Sequence, residues 1–392
     1  MMASQEPSIT PTPFRISIPK EKLVALRTLL ENSPIPAPFY EGQHANFGVT
    51  TAWMTAAKDY WLNSFDWTEY ENTLNTYPHF LLTDPNTSQT LHFLHHRCAN
   101  ASAPALLLLH GWPSSFAEFL PLIPHLAADF HLVIPSLPGF CFSTPPPLAH
   151  DFTLAACAAQ LDTLMQRLGY AAYHVHGGDL GAFLGRLLGA GPYPAVRGVH
   201  ATMVWVLPRA ELAPPTSLPA REQEGLRRGR EFASVGSAYA LEHATRPATI
   251  AHVLAASPLA LLAWVGEKFL AWTHAPPPLR TVVEAAALCW LTATPATAVW
   301  AYRDIFLPAR LRAWNRVLPG EALWIRVPMG VSSFASEIVP VPRKWAEMTG
   351  RMVFWRWHEK GGHFPAFETP ETLALDLREF VDIVEKSERA KL

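Results

Sequence analysis

Charge is scarce in this chain, and what there is nearly cancels. Asp, Glu, Lys and Arg make up 16% of the 392 residues, and the net charge at pH 7 is -2. With no basic surplus to meet phosphates, nucleic acid and acidic membrane surfaces are excluded as electrostatic partners. Cysteine is equally sparse: Cys98, Cys141, Cys157 and Cys289 are scattered with no CxxC spacing, so reduced thiols and an intracellular setting are expected. The polar, proline-dotted stretch Met1 to Pro19 lacks the apolar core of a secretory signal. The longest apolar stretches, around Val253–Val265 and Ala285–Tyr302, are broken by Ser, Pro, Thr or Arg. They read as buried or lid helices, and no membrane anchor is expected. No internal repeat divides the chain. His92, His95 and His96 form no metal set, because adjacent residues of a strand point to opposite faces and no carboxylate or Cys completes the ligands. They are expected to be structural, and neither a metal nor a cofactor is expected.

What the chain has is apolar mass. Hydrophobic residues are 49% of the total, enough for a large core plus an inserted or appended unit. Helical apolar spacing runs over Ile16 to Leu30, Val49 to Phe65 and Trp67 to Leu74, ahead of any strong strand. His79–Thr83 and Leu91–His96 are short strand-like runs joined by the turn composition Asp84-Pro-Asn-Thr-Ser. Ala105 to Leu109 is a continuous aliphatic run, the mark of a strand buried on both faces. After it, strands at Phe130–Pro135, Tyr173–His176 and Val196–Leu207 alternate with helices at Phe116–Leu126 and Phe152–Leu168. That alternation predicts an α/β fold with a parallel sheet covered on both sides. From Arg209 to about Arg316 there is no buried strand, only helical pattern rich in Ala, Trp and Pro. Strand patterning returns at Leu323–Val327 and Met352–Trp357, and Leu373 to Val384 closes as an amphipathic helix. The expected division is an N-terminal helical extension (1–85), a core in two parts (86–208 and 319–392), and a helical lid (209–318) inserted between them.

The stretch His176-Gly-Gly-Asp-Leu-Gly181 sits between a strand and a helix. Small residues at Gly177 and Gly181 around Asp179 match a nucleophile elbow, where strand and helix backbones pack too closely for side chains. An acidic N-cap on a glycine-rich turn gives the same fragment. A serine at position 179 would indicate acyl transfer, whereas a carboxylate attacks carbon and forms an alkyl ester. Ligands in open α/β sheets lie beyond the carboxyl ends of strands. That rule picks out His110-Gly-Trp-Pro113, Asp179, Ser333-Phe-Ala-Ser-Glu337 and Gly361-Gly-His363. Asp179, Glu337 and His363 follow the nucleophile, acid, histidine order of the α/β-hydrolase triad. Among 17 histidines, His358 is the nearest competitor, less favourably placed inside the continuation of its strand.

These segments resemble the epoxide hydrolases of the α/β-hydrolase superfamily, in the microsomal-type branch that includes soluble fungal and insect members. The resemblance covers nearly the whole chain. Tyr60-Trp-Leu-Asn-Ser-Phe-Asp-Trp67 and Glu69-Tyr-Glu-Asn-Thr-Leu-Asn75 are similar to that branch's N-terminal segment. His110-Gly-Trp-Pro113 is similar to its oxyanion motif, the Gly-Gly-Asp segment to its nucleophile motif, and Gly361-Gly-His-Phe-Pro-Ala-Phe-Glu368 to its histidine segment. Ser333-Phe-Ala-Ser-Glu337 corresponds to its acid position. Gly236-Ser-Ala-Tyr239 and Trp300-Ala-Tyr-Arg303 are similar to its two lid-tyrosine segments.

The resemblance implies a small apolar epoxide and water as reactants. Asp179 attacks a ring carbon while Tyr239 and Tyr302 donate to the ring oxygen, and His363, oriented by Glu337, activates water against the ester. Backbone N–H groups of Trp112 and Leu180 hold the oxyanion. Trp112 and Phe116 are the expected substrate contacts, and the Trp112–Pro113 bond is expected to be cis. The alternatives that remain are an enzyme opening the epoxide with an internal hydroxyl, a haloalkane dehalogenase (disfavoured by Leu180, where a halide-binding Trp commonly stands), and a non-enzymatic binding protein. The expected location is the cytoplasm or, through the tail Ala390-Lys391-Leu392, which is a variant of the peroxisomal Ser-Lys-Leu address, the peroxisome. Monomer and homodimer are both compatible with the sequence.

Overall fold

The computed structural model describes residues 10–85, 87–207 and 218–390. Nine strands form one sheet: β1 Thr12–Phe14, β2 His79–Thr83, β3 Thr90–His96, β4 Ala105–Leu109, β5 His131–Pro135, β6 Tyr173–Gly177, β7 Val196–Ala201, β8 Ile325–Ser336 and β9 Gly350–Gly362. Their spatial order is β1-β2-β3-β5-β4-β6-β7-β8-β9. β1, β2 and β3 join in antiparallel register, with β3 antiparallel to β5. Every pair from β5 onward is parallel. β4, flanked by β5 and β6, is buried along its whole length, as an aliphatic run covered on both faces must be.

The expected helices are in place at Lys20–Asn32, Thr51–Asn63, Trp67–Leu74 and Leu154–Arg167. The extension, however, is not wholly helical, since its residues Thr12–Phe14 and His79–Thr83 add strands to the sheet edge. It is fastened at its start: the Ile16 amide donates to Asn75 Oδ1 at 2.9 Å and the Ile18 amide to Glu71 Oε2 at 2.8 Å. Phe116–Leu126 also differs from expectation. It is a 3₁₀ turn at Phe116–Phe119 followed by a short helix at Ile123–Leu126, with Pro121 interrupting what would have been a continuous helix. Among the described residues, the chain between β7 and β8 is helical, from Ala220–Glu231 to Pro308–Trp314. This insertion covers the carboxyl ends of the parallel strands. No single helix among the described residues is long and apolar enough to cross a membrane. Lys391 and Leu392, which carry the proposed peroxisomal address, lie outside the described residues.

The last two strands are about twice as long as the sequence pattern suggests. Pro328, Gly330, Ser332 and Ser333 interrupt the apolar run, but pairing with both neighbours keeps β8 extended, and its register shifts between Ile325 and Pro328. Such an irregularity is where a strand absorbs the missing proline N–H. Ser333–Ser336 is therefore strand rather than loop, Gly361 and Gly362 finish β9, and Glu337 and His363 each follow a strand end immediately.

A buried polar chain crosses the sheet beneath the elbow. His176 Nδ1 and His200 Nδ1 are 3.0 Å apart, and His200 Nε2 is 3.1 Å from the Ser332 hydroxyl. That hydroxyl donates to Asp376, which also takes His358 Nε2 at 2.6 Å and Arg356 Nη1 at 2.9 Å. Burial opposes the charge on Asp376, but its bonds from His358 and Ser332 hold its carboxyl below the ordinary range. Replacing it by alanine strands His358 and Ser332 without an acceptor. We expect Asp376→Ala to lower unfolding free energy by about 2–3 kcal/mol in urea titrations, with activity retained in the fraction still folded.

Candidate active site

The chain leaves β6 through Gly178 and enters the helix Asp179–Ala190 at Asp179, whose φ of 45° lies in the left-handed region. A non-glycine residue there is strained, and the surrounding packing must hold it. The glycines around it have little alternative. A Cβ at Gly181 would lie 2.0 Å from the Leu109 carbonyl oxygen, and one at Gly177 would lie 2.4 Å from the Gly181 backbone. This is the elbow geometry that the small-residue pattern implied.

The strained turn lifts the Asp179 carboxylate above the sheet, where its two oxygens meet different partners. Oδ1 accepts the Trp112 amide at 2.9 Å, from the loop after β4. The Trp112–Pro113 bond in that loop is cis, as expected. Oδ2 lies 3.4 Å from His363 Nε2. His363 Nδ1 donates in turn to Glu337, 2.9 Å from Oε1 and 3.1 Å from Oε2. The Ile338 amide also donates to Glu337 Oε1, at 2.7 Å. Glu337 and His363 are both buried. Leu180 follows Asp179 in the first turn of the helix, so its amide belongs to the positive end of the helix dipole.

Burial alone would lower the basicity of His363. The Glu337 and Asp179 carboxylates override it and raise the imidazole to about 10. The resulting charge contributes stability that is fully present below the ordinary imidazole value of 6.5 and is lost as pH rises through about 10. Thermal melts of the native chain are therefore expected to lose more stability between those pH values than melts of Asp179→Ala, which lacks one of the two carboxylates.

Above this row sits an aromatic ceiling supplied by the lid. Tyr239 lies in the helix Ala238–Thr245 and Tyr302 in Ala301–Phe306. The Tyr239 ring stacks on Trp112 with centroids 5.1 Å apart, and the Tyr302 ring meets Trp112 edge-on at 5.8 Å. Among the described residues, the buried Tyr302 hydroxyl has no hydrogen-bond partner. Burial, followed by the Asp179 charge, pushes the Tyr239 phenol well above its ordinary value. Burial, Tyr239 and Asp179 do the same to Tyr302. Both are therefore neutral donors over a carboxylate.

Phe116 does not join this group. The 3₁₀ turn that carries it begins at Ser115 and turns the ring into the core, 5.1 Å from His92 and 5.7 Å from His79. His358 is spent on Asp376. His92, His95 and His96 bond to His79 and Ser136, to the Tyr170 hydroxyl and to the Ala127 carbonyl respectively.

Sequence reasoning passed over two residues that the structure brings to the site. The Trp272 ring lies 5.1 Å from His363 and 5.4 Å from Tyr239, and its carbonyl accepts the His363 amide at 2.8 Å. Its signal was lost in an aromatic-rich lid. His243 stands one helical turn after Tyr239 and packs 4.7 Å from both Trp112 and Tyr302. Burial, helped by Lys268, drives its imidazole down to about 3, so it is a neutral wall, and the Trp264 indole donates to its Nε2 at 3.0 Å. The i, i+4 spacing from Tyr239 was the only hint of it.

A carboxylate on a strained elbow, with an acid–histidine pair on one side and two neutral phenols overhead, can attack an electrophilic carbon and protonate the oxygen that leaves it. Comparisons with known proteins bear on the family and the fold. Residues 11–119 match the family model of the epoxide hydrolase N terminus, and residues 104–223 match that of the alpha/beta hydrolase fold. The structure of Aspergillus niger epoxide hydrolase is 42% identical, covers 96% of this chain and 97% of its own, and superposes with a TM-score of 0.90. Juvenile hormone epoxide hydrolase from the silkworm Bombyx mori is 26% identical over 97% of this chain and 96% of its own, with a TM-score of 0.87. Epoxide hydrolase 1 of Sus scrofa is 28% identical over 98% of this chain and 91% of its own length. With identity, coverage and fold in agreement along its length, the chain belongs to the epoxide hydrolase family.

Proposed function

We propose that the chain converts an apolar epoxide to a vicinal diol through an alkyl ester on Asp179. The observation that carries this reading is the division of labour around one carboxylate. Trp112 N–H holds Oδ1, His363 faces Oδ2, and two neutral phenols stand above. Asp179 attacks a ring carbon, and Tyr239 and Tyr302 give the ring oxygen its proton. The attack discharges Asp179. That removes the negative charge opposing a phenolate, so donation becomes easier as the new bond forms. The same discharge takes away one of the two carboxylates that keep His363 protonated. Its imidazole falls toward neutrality when a base for water is needed, with Glu337 still fixing its orientation. Water then attacks Cγ of Asp179, and the Trp112 and Leu180 amides receive the oxyanion.

The apolar part of the substrate has a place beside this row. A cavity of about 280 Å³ is lined by Trp205, Leu226, Phe232, Phe306, Val339 and Trp345. Phe306 stacks on Tyr302, and the Phe232 ring meets Trp272. Val339 lies two residues beyond Glu337. These walls favour an uncharged, hydrophobic substituent. The test is diol formation from a panel of terminal and disubstituted epoxides, with the native chain and Asp179→Ala side by side. Diol from the native chain alone is the expected result. Diol from both removes Asp179 as nucleophile, and a cyclic ether in place of diol assigns ring opening to an internal hydroxyl.

A further inference from the structure

The ester chemistry leaves one buried polar atom at the ceiling of the site without a task, Nδ1 of His243. The residue lies in the helix Ala238–Thr245, one turn after Tyr239, and is fully buried. Its ring stands nearly perpendicular to those of Trp112 and Tyr302, 4.7 Å from each, and lies 5.5 Å from that of Tyr239. These three rings surround the place proposed for the epoxide oxygen. Trp264, in the helix Pro258–Trp272, donates its indole N–H to the other ring nitrogen, Nε2, at 3.0 Å.

That bond fixes the tautomer. An indole nitrogen is only ever a donor, so Nε2 must be the acceptor. His243 is neutral, since burial, helped by Lys268, takes its imidazole down to about 3. A neutral imidazole with an accepting Nε2 carries its single proton on Nδ1. This Nδ1–H is buried and has no acceptor among the described residues. Lys268, whose ammonium lies 4.5 Å from the Tyr239 ring centre and 5.6 Å from that of Trp264, is itself a donor and cannot serve. A buried donor left unpaired costs the whole of its desolvation, and that cost is recovered when a ligand brings an acceptor.

We infer that His243 is a specificity-determining residue, whose Nδ1–H binds an acceptor oxygen carried by the substrate beside the epoxide ring, an ether or carbonyl oxygen one carbon away. The inference rests on the diol-forming reading above and narrows its substrate class. The Tyr302 ring touches both His243 and, at 5.8 Å, Phe306 of the apolar cavity, so the donor and the cavity flank the same phenol. The tyrosines hold the ring oxygen, the cavity takes the hydrocarbon end, and His243 reads the atom that joins them. Because the tautomer is fixed, a substrate with a methylene at that point leaves the N–H unpaired and is bound less well.

Butyl glycidyl ether and terminal epoxyoctane have chains of the same length and differ in one oxygen, one carbon from the ring. Competed for the full chain in one vessel, they give the ratio of their kcat/KM values from the two diols. The inductive pull of the ether on the ring is the same for every variant, so a change in the ratio reports the protein. His243→Phe keeps an aromatic ring, loses the N–H, and is expected to move the ratio about 10-fold toward epoxyoctane, the worth of one neutral hydrogen bond. His243→Gln keeps an N–H donor and is expected to restore most of the ether preference. Trp264→Phe leaves His243 in place but frees Nε2, so the proton is no longer held on Nδ1, and a smaller shift in the same direction is expected. An unchanged ratio in His243→Phe overturns the inference, and so does an equal shift in His243→Gln, which would make the effect one of shape. If His243→Phe does not fold, an unchanged ratio in Trp264→Phe overturns it. Diol from neither epoxide with the native chain is a separate failure, that of the underlying reading.

Discussion

Replacing Asp179 by alanine is expected to lower turnover by roughly 10⁶-fold, the scale of removing a nucleophile that acts as one unit with its base. The fold should survive the change. The Asp179 side chain accepts one hydrogen bond, from the Trp112 amide, and makes one contact, to His363, while alanine in the left-handed turn adds only a small cost over aspartate, which that region tolerates better. Circular dichroism and thermal melts separate lost chemistry from lost structure. A stronger form of the experiment follows the oxygen. With enzyme in excess over substrate in water labelled with heavy oxygen, the first diol is expected to carry an unlabelled oxygen taken from Asp179, and the label is expected in the peptide spanning residues 178–186. Label in the first diol would mean direct attack of water on the ring and would remove the ester intermediate.

That experiment probes a residue that was readable in the sequence, for a physical reason. An elbow leaves small residues at fixed offsets because the backbones of β4, β6 and the following helix nearly touch, as the 2.0 Å clearance at Gly181 shows. Packing constraints of that kind are written in local sequence. Glu337 and His363 were singled out in the sequence too, by their order after Asp179 and their place beyond strand patterns, and the structure brings them together. Only part of their strands was readable. β8 and β9 carry Pro, Gly and Ser inside them, and their extended conformation is fixed by pairing with neighbours far away in sequence, which no local pattern records. Phe116 was misplaced for a related reason. Its distance along the chain from Trp112 suggested the site, but the 3₁₀ turn sends it toward His79 and His92. Trp272 and His243 came to light only with the lid folded down, because lid aromatics have no period that separates ceiling from core.

The lid tyrosines supply the second large effect. Tyr239→Phe and Tyr302→Phe each remove one hydroxyl and keep the ring, so stacking on Trp112 should persist. Each single change is expected to slow ester formation by about 10²-fold, the ordinary contribution of a general acid, with ester hydrolysis little altered because water attack does not involve the epoxide oxygen. The double variant is expected to lose more than either single one, yet less than the product of the two losses, because both phenols serve the same oxygen and their ionisations are coupled. Single-turnover measurements of ester formation decide the matter. Equal slowing of formation and hydrolysis would make the tyrosines packing residues of the lid. A full multiplicative loss would mean that they act at separate steps. The direction of the pH response follows from the same charges. With Asp179 ionised, both phenols are held well above their ordinary value and remain protonated through neutral and mildly alkaline pH. Ester formation is therefore expected to stay flat up to pH values at which a free phenol would already have lost its proton.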